Sequence, residues 1–511
     1  IACCLKMAGL KPADVDRVAF SFDPAQRAAE FTYDVSLPGD WGDPEGEAIF
    51  RRQLAKAPAA VSEILKRDVT DRFVWVGHHM AHAASAFYPS GYDTAAILVI
   101  DGIGENASTL FARGDADGIV PLRAIQYPHS MGFLWEKLSA YLGFSEYDAS
   151  KVMGMAAWGE ADPWRDAIGQ FARVGDGGFA LNGEVLSFRR PDFEALEAIL
   201  GPRRRPGEPL EARHFGIAAA LQDFTSQSML EVLSSLAELC PGENLCIAGG
   251  VALNCVSNAE LLRRGPFRSM FLPPGPHDAG TAIGAALVVE HSVNGAARRV
   301  EPQLTPFTGP AFASDAIEAA LARAGVEAVR VSDAPERAAA MVADGLIVGW
   351  FQGAMEFGPR ALGNRSLLAD PRVPKMREVL NYKVKHREPF RPFAASVLRE
   401  RMTDWFDVPR WSDALMYMLF AVPARPEKAR RIPAVMHADD TCRIQAVDPL
   451  LSPRYHAMIS AFERMTGVPM VLNTSFNDQE PIVCSPDDAL ATFHGTRIDA
   501  LFLEDYLVVR A

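Results

Sequence analysis

The sequence predicts an α/β protein of two domains, and three observations lead there. The stretch from Asn244 to Asn254 runs from an apolar strand through Gly249-Gly250 into a helix, the unit from which open α/β sheets are built. An apolar run over 94–100 follows a helical stretch and ends in Asp101-Gly102-Ile103-Gly104, a second strand with a glycine turn at its end. The chain has 511 residues, enough for more than one core, and its Pro-rich polar stretch 301–310 reads as a linker. The predicted domains are therefore 1–300 and 301–511.

In chain order, the first residues read as a helix end, 15–22 as a strand and 47–67 as one amphipathic helix. A strand over 73–76 leads into Gly77-His78-His79-Met80-Ala81-His82, a helix with three of the chain's 11 histidines. Residues i and i+4 share a helix face, so His78 and His82 can reach one ion; His79 and His82, at i and i+3, offer an alternative pair. Asp101, at the end of the next strand, is a third candidate ligand. Two imidazoles and a carboxylate with open positions suit Fe, Mn, Co or Zn in a reactive site better than a closed structural zinc. Strands are predicted at 94–100 and 107–113, a helix at 131–142 and a loop entering a helix at 146–156. A hairpin is read at 176–188, a linker at 201–209 and a long helix at 212–239. A strand and turn follow at 271–276, and a small-residue helix opens at His277-Asp278. That places Asp278 where a strand gives way to a helix N-terminus, a usual ligand position in α/β folds. Gly249 and Gly250 offer a phosphate cradle, though neither a Gly-x-Gly-x-x-Gly nor a Walker lysine accompanies them. A simple tight turn explains the same glycines.

In the last third, helices are predicted at 314–324 and 334–344 and a strand at 347–351. Then an acidic chain concentrates its cations: Arg360, Arg365, Arg372, Lys375, Arg377, Lys383, Lys385, Arg387 and Arg391. Interleaved Gly, Pro and Phe set this run apart from a solvated helix face. Arginine forks grip phosphate and carboxylate oxygens bidentately, and lysine adds point charge. Asn473-Thr474-Ser475-Phe476-Asn477, at the end of an apolar strand, adds hydroxyl and amide groups.

Composition narrows the class. A net charge of −13 with 49% hydrophobic residues describes an ordinary globular protein with no broad nucleic-acid or anionic-membrane surface. No apolar run reaches the length of a membrane span. Seven scattered cysteines without a Cys-x-x-Cys pair point to reduced thiols and a cytoplasmic location.

The motifs are specific beyond this point. His78-x-x-x-His82, Asp101-Gly102, Gly249-Gly250-Val251-Ala252-Leu253-Asn254 and Asp278-x-Gly280-Thr281 occur in this order. So do Glu356-Phe357-Gly358-Pro359-Arg360-Ala361-Leu362-Gly363-Asn364-Arg365-Ser366 and Arg387-Glu388-Pro389-Phe390-Arg391-Pro392-Phe393. Over nearly its whole length the chain resembles the NodU/CmcH group of O-carbamoyltransferases, to which nebramycin synthase-like enzymes belong.

The resemblance implies an actin/Hsp70-like ATPase domain of Kae1-like type over 1–300 and a YrdC-like α/β domain over 301–511. The superfamily's first hairpin is expected before Ile1. Carried over by position, His78, His82, Asp101 and Asp278 hold a divalent metal, Fe2+ first, with Mn, Co or Zn as alternatives. Gly102, Lys151, Gly249, Gly250 and Asn254 contact a nucleotide. Arg360, Lys385, Arg391, Arg443 and Ser475 bind carbamoyl phosphate and ATP, the latter with Mg2+ as co-substrate, and Arg365, Lys383 and Asn473 are read as supporting residues of the same site. Lys385, Arg391 and His79, the last as proton acceptor, are the implied catalytic groups. The implied reaction forms carbamoyl-adenylate and passes its carbamoyl group to a hydroxyl of a small molecule in antibiotic-type biosynthesis. Neither nucleic acid nor membrane is an expected partner; a homodimer is compatible with the pattern.

Three rivals share parts of it. A hydrogenase-maturation carbamoyltransferase would carry Cys-x-x-Cys zinc motifs, which this sequence lacks. A tRNA-threonylcarbamoylation enzyme sits poorly with the acidic balance and the Glu-Phe-Gly-Pro-Arg block. A non-catalytic actin-like nucleotide-binding module would bind nucleotide without hydrolysis or transfer turnover.

Overall fold

The computed structural model describes residues 1–31, 42–188 and 190–510. Two compact units divide the chain, Ile1–Leu304 and Thr305–Ala511, and the division falls inside the Pro-rich stretch. Both are mixed α/β.

Among the described residues the first unit is built on a five-stranded sheet in the order Gly118–Gln126, Ala107–Asp115, Ala95–Ile100, Asn244–Ala248, Ser269–Phe271. The first two pairings are antiparallel and the last two parallel. Ala95–Ile100 lies at the centre and is buried at every residue, which is why it reads as unbroken apolar sequence. The helix His78–Phe87 covers one face, placing Ala83, Ala84, Ala86 and Phe87 in one core with Ile97, Val99 and Ala248. Its other side meets the helix Thr281–Val288, where a Cβ on Gly284 would fall 1.7 Å from the Ala81 carbonyl oxygen. That crossing therefore needs glycine, and it brings the His-bearing and Asp278-bearing elements together. The 28-residue helix Ala212–Leu239 packs on Ala149–Ala156 and Cys255–Arg264.

Among the described residues the second unit holds a nine-stranded mixed sheet. Its central order is Val348–Phe351, Arg365–Ala369, Met470–Ser475, Ala394–Leu398, Thr441–Val447. Arg443 lies beside Ala394, and Asn473 pairs with both Leu368 and Ala394, so the ends of these strands gather at one region.

Several local expectations are corrected. The helix over 47–67 is two helices, Pro44–Leu54 and Ala57–Leu65; Pro58 has no amide to donate and can only stand in a first turn. The hairpin lies earlier than 176–188, between Ala172–Gly175 and Gly178–Leu181. Its turn residues Asp176 and Gly177 both have positive φ, as a tight two-residue turn requires. The strand expected at 271–276 is Ser269–Phe271, ending before Pro273-Pro274. The 201–209 stretch is not a linker between units: it packs on the helix Met131–Tyr141, with Tyr141 Oη donating to the Gly201 carbonyl at 2.6 Å.

Candidate active site

The helix His78–Phe87 presents two imidazoles to two carboxylates. His78 Nε2 is 3.1 Å from Asp101 Oδ2 and 3.6 Å from Asp278 Oδ1; His82 Nε2 is 3.4 Å from each. One ligand atom from each of the four residues lies within 4.8 Å of the others. His79 is not in this group. Its buried ring packs on Gly104, where a Cβ would lie 2.4 Å from Nδ1, so the i, i+4 pair of histidines is the one that converges.

The donors fit a divalent cation. His82 is wholly buried, yet neither of its ring nitrogens has a hydrogen bond; Nε2 faces only the two carboxylates. A buried imidazole facing two acids calls for positive charge, supplied by a proton on the ring or by a bound cation. An ion with bonds of roughly 2.0–2.2 Å would close the observed spread after small rotamer changes. Burial lowers the basicity of His82, but Asp101 and Asp278 outweigh it and lift its pKa to about 9. Burial likewise raises Asp101, and the two histidines more than reverse that, holding it well below the usual carboxylate range. Asp278 is 75% exposed and leaves one side of the cluster open.

Other contacts hold the ligands. His78 Nδ1 lies 3.2 Å from the Ser21 carbonyl, which fixes the ring and leaves Nε2 for the cluster. Asp101 Oδ1 accepts the Gly250 amide at 2.8 Å. Glu105, buried in the turn after Asp101, accepts the amides of His78 at 2.9 Å and Asp23 at 2.8 Å. It was not singled out in the sequence, because a lone acid in a glycine turn has no signature.

The expected nucleotide contacts are divided. Gly249 and Gly250 form the turn against Asp101; a Cβ on Gly249, whose φ is +98°, would strike the Ile100 carbonyl at 2.2 Å. Gly102 accepts the Ser130 hydroxyl through its carbonyl, so it joins the turn to the helix Met131–Tyr141. Asn254 faces inward: it caps the helix Cys255–Arg264 at the Ser257 amide and exchanges hydrogen bonds with Gln222 at 3.0 and 3.2 Å. Lys151 pairs with Asp148 at 3.2 Å.

In the second unit the predicted cations separate into braces and a cluster. Arg365 is wholly buried and donates to the carbonyls of Gln352, Asn364, Pro310 and Gly353, with its guanidinium 3.6 Å from the Phe351 ring centre. Asn473 is buried too, donating to the Ala361 carbonyl and the Ser396 hydroxyl. Lys385 Nζ donates to the Ser475 and Asn477 carbonyls at 2.5 and 2.7 Å and to Asn477 Oδ1 at 2.7 Å. Burial holds the Lys385 ammonium well below its ordinary pKa. Its three protons are thus engaged, and it braces the turn that carries Ser475. Lys383 is exposed at the end of its helix.

The cluster consists of Arg387, Arg391 and Arg443. Burial, and then the repulsion of Arg391 and Arg443, lowers Arg387 to about 9. Arg443 Nε is buried without a hydrogen bond. Arg387 also braces its loop, donating to Asn381 Oδ1 at 2.7 Å and to the Pro392 carbonyl at 3.3 Å, and Arg391 lies 4.0 Å from Glu388; neighbouring guanidiniums anchored this way would suit a small anion. Arg387 is not among the expected site residues although it stands in the cation run; nothing in sequence shows which arginine of a run turns inward. Arg360 is half-buried on a loop shaped by Glu356, whose Oε1 accepts the amides of Leu362, Asn364 and Arg365 at 2.8, 2.7 and 3.0 Å.

Residues 1–287 match the family model described as carbamoyltransferase N-terminus, and 339–510 the one described as carbamoyltransferase C-terminus. The chain is 38% identical to nodulation protein NolNO of Sinorhizobium fredii, over 99% of this chain and 73% of that one. It is 38% identical to nodulation protein NolO of Bradyrhizobium diazoefficiens over 85% and 78% of the two chains. An uncharacterized protein of Synechocystis, sll1178, is 36% identical over 99% and 89%. The chain belongs to the carbamoyltransferase family, alongside the nodulation proteins NolO and NolNO, and is a carbamoyl-transferring enzyme.

Proposed function

We propose that this chain is an ATP-dependent O-carbamoyltransferase. It moves the carbamoyl group of carbamoyl phosphate, through carbamoyl-adenylate, to a hydroxyl of a natural product. The observation that carries this reading is that one carbamoyltransferase chain holds two chemically different centres: an arginine cluster suited to small anions and a His2Asp2 cluster suited to a divalent ion.

In this scheme Arg387, Arg391 and Arg443 hold the carbamoyl phosphate dianion, with Ser475 on the turn that Lys385 braces. Water cleaves carbamoyl phosphate to carbamate and phosphate. The carbamate oxygen attacks the α-phosphorus of ATP, giving carbamoyl-adenylate and pyrophosphate. The arginines offset charge as the phosphates leave. At the other centre an alcohol oxygen attacks the carbamoyl carbon, AMP departs and the hydroxyl proton is released. A divalent ion held by His78, His82, Asp101 and Asp278, Fe2+ by the resemblance, would supply Lewis acidity to the carbonyl oxygen. The Gly250 amide keeps Asp101 oriented, and Ser21 keeps His78 in the tautomer with Nε2 free for that cluster.

Two variants test the scheme. Arg391→Ala should lose carbamoyl-adenylate formation while still transferring from synthetic carbamoyl-adenylate; His82→Ala should form the adenylate and fail to transfer. The same block in both variants would refute two separate centres.

A further inference from the structure

We propose that Gln445, acting with Ser396 and Asn473, is a positioning residue that sets Arg360 for the carbamoyl phosphate anion. This rests on the carbamoyl phosphate reading of the second unit and adds residues that act without touching the substrate. The strand register lines them up. Asn473 pairs with Ala394 and Ala394 with Arg443; Val471 pairs with Ser396 and Ser396 with Gln445. Alternate residues of a strand share a face. Gln445 therefore lies on the face that carries Arg443, and Asn473 on the face that carries Ser475. The two strands that supply Arg443 and Ser475 also supply, two residues along, the amides of Gln445 and Asn473.

Ser396, Gln445 and Asn473 are at most 3% exposed and bond to one another. Ser396 Oγ donates to Gln445 Oε1 at 2.6 Å, and Asn473 Nδ2 donates to Ser396 Oγ at 2.9 Å and to Gln445 Oε1 at 3.3 Å. Their remaining donors go to one place. Gln445 Nε2 donates to the Leu362 carbonyl at 2.7 Å and Asn473 Nδ2 to the Ala361 carbonyl at 3.1 Å. These are the two carbonyls that follow Arg360 in the chain. The amides there are held as well: Glu356 Oε1 accepts those of Leu362 and Asn364, and Ser366 Oγ accepts that of Gly363 at 3.0 Å. The backbone leaving Arg360 is thus gripped through its carbonyls and its amides together. Packing alone does not ask for this. Leu368, Ala394 and Val471, on the same face, are buried and apolar, and a buried amide costs free energy unless it is bonded. Apolar contact has no direction, whereas a hydrogen-bonded network specifies one orientation of the loop above it. An arginine fork needs that orientation, because it grips an anion bidentately only from the right angle.

The experiment uses the whole chain and calorimetric titration with phosphonoacetamide, the carbamoyl phosphate analogue with a methylene in place of the bridging oxygen. Gln445→Met keeps an unbranched side chain of similar volume and loses the amide; it should weaken binding about ten-fold, and Arg360→Lys, which keeps charge without the fork, by a similar factor. Ser396→Ala should weaken it about three-fold and Ser396→Thr restore it, a second route to the network should Gln445→Met fail to fold. The deciding measurement is the double variant. If Gln445 acts through Arg360, adding Gln445→Met or Ser396→Ala to Arg360→Lys changes the affinity by less than about two-fold. Losses that multiply, or wild-type affinity in both Gln445→Met and Ser396→Ala, would overturn the proposal. No binding by wild type, or wild-type affinity in Arg360→Lys, would strike the carbamoyl phosphate reading of this site. Binding that depends on Arg360 and not on Gln445 would strike only the positioning role.

Discussion

Asp101 divides its two oxygens between two tasks: Oδ1 accepts the Gly250 amide at 2.8 Å, and Oδ2 lies 3.1 Å from His78 Nε2. The glycine turn and the histidine helix are therefore joined through one carboxylate. A Cβ on Gly250 would stand 2.8 Å from Asp101 Oδ1. Gly250→Ala should weaken metal binding by about 10-fold or more, the usual cost of disturbing a ligand's outer contact. Titration with Co2+, followed by its visible spectrum, measures this apart from turnover, and circular dichroism should be unchanged.

Glu105 gives a second test of how the ligands are held. Its carboxylate serves the amides of both His78 and Asp23, while Arg27 donates to its carbonyl at 2.6 Å. Glu105→Ala leaves the part-buried amides of His78 and Asp23 without this acceptor and should cost about 1–3 kcal/mol in urea unfolding. Glu105→Gln keeps an acceptor oxygen and should recover most of the stability and of the Co2+ spectrum.

Lys385 is expected to act through structure. Lys385→Ala removes the ammonium that the Ser475 and Asn477 oxygens share, leaving Ser475 O only the Asn477 amide at 3.1 Å and Asn477 Oδ1 only the Ser475 hydroxyl at 2.7 Å. It should destabilise the fold by about 1–3 kcal/mol and also abolish carbamoyl-adenylate formation. Arg391→Ala should abolish the same step without the loss in stability. Identical unfolding curves for the two variants would contradict the bracing role.

His437 provides an acid-sensitive element near the arginine cluster. Burial, and then Arg443 and Arg377 against the opposing pull of Asp439, lowers its pKa from 6.5 to about 4. The unfolded chain takes up a proton on this group below pH about 6.5, and the folded chain only near 4. The stability it contributes is therefore present above the unfolded value and lost as pH falls through the folded one, a change on the order of 3 kcal/mol. The urea midpoint should drop over this window, and His437→Gln should flatten the drop.

The convergence of the two histidines and two acids was legible because its spacing is local. His78 and His82 share a helix face whatever surrounds them, and Asp101 ends a strand that any α/β sheet would bury. The arginine region was less so. The run from Arg360 to Arg391 announces an anion site but not its division of labour: Arg365 and Lys385 turned out to hold backbone carbonyls, and Arg387 joined the cluster. The split ahead of Pro58 has a local signal, since proline's missing amide confines it to a first turn.

Sequence alone determined the α/β class, the His-x-x-x-His pair with its two acids, and membership in a carbamoyltransferase lineage, since these depend on periodicity and on motifs a few residues long. Tertiary structure alone decided that His79 turns to Gly104, that Asn254 caps a helix, that Glu105 and Glu356 organise the loops, and which cations meet. The physical reason is burial. A polar side chain taken out of water must bond to whatever the fold brings near it, and those partners come from residues far away in the chain.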